Sequence, residues 1–409
     1  MKKKINLIVF ASSLTSRDSV FADHSEILKR LESEYDVNYL FPENLGVQPT
    51  DGTTLVFVGS GGVEEMVAAQ IERLPRYTVL IADGLKNSLA ASLEILSWMR
   101  LTGRHGRVIH GPTDYIAGSV ADYVTVGDCM NRLRGKRVGA VGRPSGWLIA
   151  SDVDREAVSQ KWGIEFCDVN LDEVVEEYAQ TPDADVEHQA HELIKKSLGE
   201  REPSEAEVIK AMRLYAAVKA VAHRHRLNAL TLNCFDLIPT TRTTGCLALA
   251  LLNQEGIPAG CEGDMQTLLT MMIAQELTGE PCFMANPSTI IDNARHEMVF
   301  AHCTIAPQMT DGYILRDHYE SLSGVAVEGQ LQQGVVTVVK CGGRQMERLF
   351  VSRADLLACG NNPNMCRTQL HIRLDAPLDY FLERSIGNHH VVVRGDWAAL
   401  LEAAFHCQC

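Results

Sequence analysis

The sequence predicts an α/β protein with two doubly wound parallel-sheet domains followed by a mostly antiparallel β domain at its C-terminal end. Short Val/Ile/Leu runs of strand length alternate with helical stretches through the first part of the chain, which is typical of buried parallel strands joined by crossover helices. After about residue 285 the helical periodicity fades, and β-like segments separated by Gly and Asn turns take over. We therefore place the domains at 1–133, 134–284 and 285–409.

In the first domain, predicted strands and helices alternate along the chain. The strands are 5–10, 54–58, 77–82 and 107–110, and the helices lie near 22–35, 62–73, 88–101 and 114–133. A Gly-Ser-Gly-Gly segment begins at Gly59, but Glu64 stands where a dinucleotide-binding fingerprint needs its last glycine. We interpret this segment as a tight turn between strand and helix.

The second domain opens with a strand that begins at Lys136 and runs into a Gly-rich turn. The helices predicted after it are 151–162, 172–198, 204–224, 243–253 and 265–277, and the strands are 228–233 and 257–261. In the third domain the predicted strands are 297–303, 323–329, 334–341, 346–351, 368–374 and 390–394, followed by a short helix at 396–405.

Composition and charge narrow the range of functions. The 409 residues are 46% hydrophobic and 22% charged, as in ordinary globular proteins. The net charge is −14, so we expect no nucleic-acid partner, because phosphate binding needs a basic face. No apolar run approaches the ~20 residues of a membrane span, and the first one stops at Ser12, too early for a signal peptide. We expect no membrane partner, and the twelve cysteines, without a Cys-x-x-Cys pair, favour reduced thiols in a cytoplasmic protein.

The most informative segment is Gly-Ile-Pro-Ala-Gly-Cys-Glu-Gly-Asp, which begins at Gly256. It predicts a strand that ends in two carboxylates, Glu262 and Asp264. On an extended chain this spacing places both side chains on one side, at the edge of a parallel sheet where ligands bind. Asp264 has an alternative role as the N-cap of the next helix. Glu262 has none, and a carboxylate among small apolar residues needs a cation or a proton.

Histidines on predicted strands can complete such a site. His302 ends one strand, and the pair His389 and His390 begins another. Neighbouring side chains on a strand point to opposite faces, so one ring of the pair can bind a metal while the other faces elsewhere. The alternative is that each histidine is structural. A set of carboxylates and imidazoles indicates an Mn²⁺ or Mg²⁺ site rather than a thiolate zinc site.

Two further residues lie in loops that follow predicted strands. Trp147, beside Arg143 and Ser145, can form one wall of a polar-ligand pocket or pack in a domain interface. Arg17 follows the first strand, on the edge of the sheet that faces ligands, or is an ordinary surface arginine.

Several of these segments resemble the L-fucose/L-arabinose isomerase superfamily. They occur in the family's order, and the three-part architecture of the resemblance covers essentially the whole chain. The segments are Cys-Leu-Ala-Leu-Ala from Cys246, Leu-Asn-Gln-Glu-Gly-Ile-Pro-Ala-Gly-Cys-Glu-Gly-Asp from Leu252, Cys-Phe-Met-Ala from Cys282, Phe-Ala-His-Cys-Thr from Phe300 and Gly-Asn-His-His from Gly387. The Glu-Gly-Asp segment is fairly specific, and the other segments are weak individually.

The resemblance implies a metal-dependent aldose–ketose isomerase that acts on a free monosaccharide through an enediol intermediate. Glu262 would bind Mn²⁺, or Mg²⁺ or another divalent ion, and serve as acid and base, with Asp264 assisting or ligating. His389 or His390 would be a further ligand. The resemblance also implies a homo-oligomer, a trimer or a hexamer, with active sites shared between subunits, and Arg17 would reach a neighbouring subunit's substrate.

The family's second acidic metal ligand has no counterpart, because Asn286 follows the Cys-Phe strand. Its carbonyl oxygen is neutral, and Asp264 or Asp292 would have to supply the charge. The residues expected to read the sugar hydroxyls are Arg17, Trp147, Arg242, His302 and His318.

Two alternatives keep the same fold. The substrate can be an anionic modified sugar such as sulfoquinovose, clamped by Arg17, Arg143 or Arg242. The chain can also be a non-enzymatic sugar-binding or regulatory protein that has lost the metal, which Asn286 favours.

Overall fold

The computed structural model describes residues 2–12, 16–46 and 52–407. They form two compact units. One unit contains the described residues up to Asn131 and those from Ala403 onward, and the other is Arg132–Glu402. Among the described residues no helix is both long and apolar enough to span a membrane.

The first unit is built on a five-stranded parallel sheet in the order β2-β1-β3-β4-β5. Its strands are β1 Lys3–Phe10, β2 Tyr35–Leu40, β3 Thr53–Val58, β4 Tyr77–Ile81 and β5 His105–Ile109, and its helices are α1 Arg17–Asp23, α2 Ser25–Glu34, α3 Glu64–Ala69, α4 Ser88–Leu101 and α5 Thr113–Leu133, which ends within the second unit. The sequence missed β2 because it is a half-buried edge strand without a continuous apolar run.

The second unit contains a four-stranded parallel sheet in the order β7-β6-β8-β9. Its strands are β6 Arg137–Val141, β7 Glu165–Val169, β8 Ala229–Leu232 and β9 Ala259–Cys261, and its helices are α6 Arg155–Trp162, α7 Leu171–Gln180, α8 Glu187–Lys196, α9 Glu205–Arg224, α10 Ile238–Thr241, α11 Cys246–Gln254 and α12 Met265–Thr278. The single helix predicted at 172–198 is wrong: α7 ends just before Pro182, which cannot continue a helix.

The same unit carries a closed antiparallel barrel in the order β10-β11-β16-β15-β14-β17. The barrel strands are β10 Cys282–Asp292, β11 Glu297–His302, β14 Gly334–Gly342, β15 Arg348–Cys359, β16 Thr368–Leu374 and β17 His390–Arg394. A separate hairpin consists of β12 Gly312–Arg316 and β13 Ala326–Gln330. The last two helices are α13 Asp379–Glu383 and α14 Ala398–His406, and α14 ends within the first unit. The predicted fold class, parallel α/β sheets followed by antiparallel β structure, is confirmed. The exact domain limits stay a prediction.

Helix α12 connects the sheet and the barrel of the second unit. It contacts β8 and β9 of the sheet as well as β10, β14 and β17 of the barrel, and nearly all of its side chains are buried. A helix that is apolar all round is a core helix. The turn that leads into α12 therefore lies where the carboxyl ends of parallel strands meet the barrel.

Candidate active site

A pocket lies at this junction. The lining residues are Cys234, Phe235, Ile238, Thr244, Cys246, Cys261, Glu262, Asn286, His302, Cys303, His318, Glu320 and Cys366. Strands of the sheet and strands of the barrel both contribute, so the pocket depends on the packing of the two.

Glu262 enters this pocket because the chain turns sharply after β9. Its φ angle is +63° and that of Gly263 is +78°, a left-handed conformation that costs energy at a non-glycine residue. At Gly263 a side chain is excluded, since a Cβ would lie 2.5 Å from Cα of Pro144. The prediction that an extended chain places Glu262 and Asp264 on one side is therefore wrong.

The carboxylate of Glu262 is held by an indole and faces an imidazole. Nε1 of Trp147 donates a hydrogen bond to Oε2 at 2.6 Å, and Nε2 of His389 lies 3.7 Å from Oε1. Burial raises the pKa of Glu262, but the imidazoles of His389 and His302 and the indole N–H lower it more, to about 2. Glu262 is therefore ionised at neutral pH, as a base or a metal ligand must be.

Asp264 lies behind the site and does not line the pocket. Its Oδ1 accepts from the backbone N–H of Thr267 at 2.8 Å, as the N-cap of α12. Its Oδ2 accepts from the Thr267 hydroxyl at 2.8 Å and from Nδ1 of His389 at 2.9 Å. Burial raises the pKa of Asp264, while the ammonium of Lys340 and the His389 ring bring it below its usual value. We therefore revise the expected acid/base or ligand role of Asp264 to one of holding His389.

His389 and His390 point in different directions, as expected for neighbouring residues of an extended segment. His389 is fully buried, and among the described residues its Nε2 has no hydrogen-bond partner. Burial lowers the pKa of His389, but the carboxylates of Asp264 and Glu262 raise it above the usual value. His390 uses both nitrogens elsewhere: Nδ1 donates to the Asn388 carbonyl at 3.0 Å, and Nε2 accepts from the Tyr380 hydroxyl at 2.9 Å. The prediction of His390 as a metal ligand is therefore wrong, and His389 faces the site.

Like His318, His302 lines the pocket with its imidazole. Its ring centroid is 5.4 Å from that of His389, and its Nδ1 lies 3.2 Å from the hydroxyl of Thr304. Burial and the charge of His389 lower its pKa to about 4, so the ring is neutral at neutral pH, as a metal ligand must be. Ligand atoms of His302, Glu262 and Cys261 all lie within 4.8 Å of one another.

Asn286, predicted above to stand in the place of an acidic ligand, lines the pocket. Its Oδ1 accepts a hydrogen bond from Nδ2 of Asn388 at 3.3 Å. Asp292, considered above as the missing charge, caps a turn through the backbone N–H of Arg295 and is not among the lining residues. The carboxylate that does line the pocket besides Glu262 is Glu320, which is exposed. The sequence offered no sign of Glu320, since it stands outside the strands.

Aromatic rings form one approach to the pocket. Trp147 is 56% exposed and is not among the lining residues, and its hydrogen bond to Glu262 places it beside the pocket. Its ring stands edge-to-face on Phe235 with centroids 5.1 Å apart, and Phe235 in turn lies 5.7 Å from the His318 ring. Nδ1 of His318 accepts from the backbone N–H of Ser321 at 3.3 Å. Its Nε2 therefore carries the proton and can donate to a hydroxyl.

Arg242 lies beside the pocket, on the rim of an adjoining cleft. The cleft shares Phe235 and Ile238 with the pocket and is also lined by Pro239 and Ser323. Arg242 has a positive φ of 55° and is exposed. Within the described residues its guanidinium has no hydrogen-bond or ion-pair partner. A cation in this position is available to an anionic ligand.

Arg17 belongs to the first unit and is the first residue of α1. Its guanidinium pairs with Glu43 and lies 3.9 Å from the ring centroid of Phe41. The side chain is half exposed. Its expected role at a neighbouring subunit's site stays a prediction.

Five thiols line the pocket, which the sequence analysis did not anticipate: Cys234, Cys246, Cys261, Cys303 and Cys366. The cysteines described by the structure are all free. Sγ of Cys261 lies 3.1 Å from that of Cys234. This contact and burial raise the pKa of Cys261 well above its usual value, so the thiol is protonated in the metal-free protein. Cys234 lies two residues after the end of β8, a position that the rule on strand ends could have included.

Comparison with known proteins gives a consistent set of relatives. No model of a known protein family matches the chain. The chain is 26% identical over 228 residues to a sulfoquinovose isomerase of Clostridium sp. (strain MSTE9), covering 54% of this chain and 50% of the relative. It is 23% identical over 210 residues to one of Priestia aryabhattai, covering 50% and 47%, and 20% identical over 280 residues to one of Alkalicoccus urumqiensis, covering 66% and 62%. The matched part thus spans about half the length of the first two relatives.

Proposed function

We propose that this chain is a metal-dependent aldose–ketose isomerase of the L-fucose/L-arabinose isomerase superfamily that acts on an anionic hexose, with sulfoquinovose as the first substrate to test. The observation that carries the proposal is that Glu262 and His302 line one pocket while Nε2 of the buried His389 lies 3.7 Å from Oε1 of Glu262. The names of the relatives support the reaction and favour an anionic sugar over a neutral one. The expected homo-oligomer with shared sites and the cytoplasmic location remain parts of the proposal.

The residues present fit a divalent cation. Nε2 of His389 is a buried nitrogen left without a hydrogen-bond partner among the described residues, and such a group calls for a ligand. Glu262 and the neutral His302 would complete the set with His389, and Asn286 would add a neutral oxygen. Two imidazoles beside one carboxylate favour Mn²⁺ over Mg²⁺. When bound, the ion supplies a Lewis acid at the sugar oxygens.

The chain's own residues then account for the proton transfer and for orientation. Glu262 takes the proton from the carbon next to the carbonyl and returns it to the carbonyl carbon, as a general base followed by a general acid, while the hydroxyl proton passes from the oxygen that becomes the new carbonyl to the former carbonyl oxygen. Trp147 holds Oε2 of this carboxylate, so Oε1 is left on the side of His389. The Nε2–H of His318 is placed to donate to a sugar hydroxyl, and the ring of Phe235 covers an apolar face of the sugar.

Turnover of a sugar panel tests this function. The purified protein, loaded with Mn²⁺, is offered sulfoquinovose, glucose and fucose, and ketose formation is measured against a chelator-treated sample. We expect metal-dependent conversion with sulfoquinovose preferred. Preferred conversion of a neutral sugar would move the assignment to an ordinary aldose isomerase. Binding of the sugar without conversion would favour the non-enzymatic alternative. The neutral Asn286, where an acidic metal ligand was expected, supports that alternative.

Arg242 is the residue that we expect to recognise the sulfonate. Charge-assisted hydrogen bonds contribute about 1.5–3 kcal/mol, so Arg242→Gln should raise KM for sulfoquinovose about tenfold or more and leave kcat nearly unchanged. Activity on a neutral sugar should not change. Arg143→Gln is the matched comparison, since Arg143 is exposed and does not line the pocket. A raised KM in Arg143→Gln with a normal one in Arg242→Gln would transfer the role to Arg143.

A further inference from the structure

Lys340 is a charged side chain enclosed within the protein. It lies on β14, in the run Val-Val-Thr-Val-Val-Lys that starts at Val335, and its side chain is 0% exposed. Removing an ammonium group from water costs several kcal/mol unless a counter-charge and hydrogen bonds compensate. The compensation comes from the back of the candidate site: Nζ donates to the hydroxyl of Thr267 at 2.6 Å and lies 3.7 Å from Oδ2 of Asp264.

These contacts fix the direction of a chain of hydrogen bonds. An ammonium group can only donate, so the Thr267 hydroxyl accepts from Lys340 and has its own proton left to give. The nearest acceptor is Oδ2 of Asp264 at 2.8 Å, and the alternative, the backbone carbonyl of His389, is 3.5 Å away. The same Oδ2 receives Nδ1–H of His389 at 2.9 Å. Thr267 and His389 therefore both donate to Oδ2 of Asp264, and Lys340 donates to the Thr267 hydroxyl.

We propose that Lys340 is a positioning residue, which anchors Asp264 through its charge and through Thr267 so that Nδ1–H of His389 stays bound and Nε2 stays aimed at Glu262. The proposal rests on the proposed function insofar as Nε2 is a metal ligand. A carboxylate that orients a ligating imidazole from behind is a common arrangement, and its loss typically costs 10–100-fold in metal affinity. Lys340 extends that support by one further residue, on the barrel side of α12.

The first measurement needs no metal. A proton shared between Nδ1 of a buried imidazole and a carboxylate gives a strongly downfield NMR signal, which can be assigned in protein with ¹⁵N-labelled histidine by its loss in His389→Gln. We expect this signal in the metal-free wild type. We expect it to move upfield or disappear in Lys340→Met, which keeps the length of the side chain and removes the charge. An unchanged signal in folded Lys340→Met would overturn the proposal.

The second measurement is the affinity for Mn²⁺, followed by the electron paramagnetic resonance of the free ion. We expect Lys340→Met to bind Mn²⁺ 10–100-fold more weakly than the wild type. Val338→Ala is the matched control for packing, since Val338 is buried two residues earlier on the same strand. It should lose stability and keep both the NMR signal and the Mn²⁺ affinity. Equal losses in Val338→Ala and Lys340→Met would mean that Lys340 has a structural role only.

Thr267→Val decides the matter if Lys340→Met does not fold. This variant keeps the side-chain shape and removes the hydroxyl between Lys340 and Asp264. A shifted His389 signal with weaker Mn²⁺ binding supports the proposal, and wild-type behaviour in both contradicts it. If the wild type binds no Mn²⁺ at all, the proposed function fails, while the metal-free NMR signal still decides whether Lys340 positions His389.

Discussion

Glu262→Gln should lower turnover of the preferred sugar by at least a hundredfold at saturating Mn²⁺. Removal of a general base typically costs 10²–10⁴-fold, and an amide can still coordinate through its oxygen but cannot accept the proton. The fold should survive, because the exchange is nearly isosteric and the Nε1–H of Trp147 can still donate to the remaining oxygen. Initial rates for the two proteins, with circular dichroism to verify folding, measure the effect.

Glu320→Gln is the matched control for Glu262→Gln. Glu320 also lines the pocket, but it is exposed and lies outside the group of ligand atoms around Glu262. We expect it to keep more than about a tenth of the wild-type rate, outside the range of losses for a general base. A large loss in Glu320→Gln beside a small one in Glu262→Gln would make Glu320 the base.

His389→Gln should weaken Mn²⁺ binding by at least a hundredfold, which corresponds to about 2.7 kcal/mol. The variant loses the nitrogen aimed at Glu262 and leaves the carboxylate of Asp264 without its imidazole partner. Titration calorimetry with Mn²⁺ measures the loss, and isomerase activity should fall with it. Unchanged Mn²⁺ affinity in a folded His389→Gln protein would remove His389 from the metal site.

The adjacent histidine provides a control in the same strand. His390→Gln should bind Mn²⁺ within a few-fold of the wild type, since the His390 ring is engaged by Tyr380 and Asn388. It should melt at a lower temperature because the partly buried Tyr380 hydroxyl loses its acceptor. If His390→Gln abolishes metal binding and His389→Gln does not, the assignment of the two rings is reversed.

The position of Glu262 was predictable from its place at the end of a parallel strand. Carboxyl ends of parallel strands carry ligands, and this placed Glu262 correctly at a pocket edge. The relation between Glu262 and Asp264 was not predictable, because it depends on the left-handed backbone of Glu262 and Gly263 after the strand has ended. Which histidine of the pair faces the site depends on the register of β17 against β10, which pairs His390 with Ala285.

Other parts of the site carry no local signal. A lysine within a strand sequence is expected to face solvent, and Lys340 is enclosed because α12 packs against β14. Cys303 and Cys366 are far apart in sequence and meet at the pocket through the tertiary fold. The edge strands β2 and β7 were not predicted, because they are only partly buried and lack the apolar runs of central strands.

The central claim is that the pocket around Glu262 moves a proton between adjacent sugar carbons. The direct measurement is NMR of the product formed by the Mn²⁺-loaded wild type from sulfoquinovose in D₂O. Isomerisation through a protein base predicts a ketose with solvent deuterium at the carbon that receives the proton, and no such product from Glu262→Gln. A folded, Mn²⁺-loaded wild type that leaves sulfoquinovose and the neutral sugars unconverted, without deuterium uptake, would contradict the account.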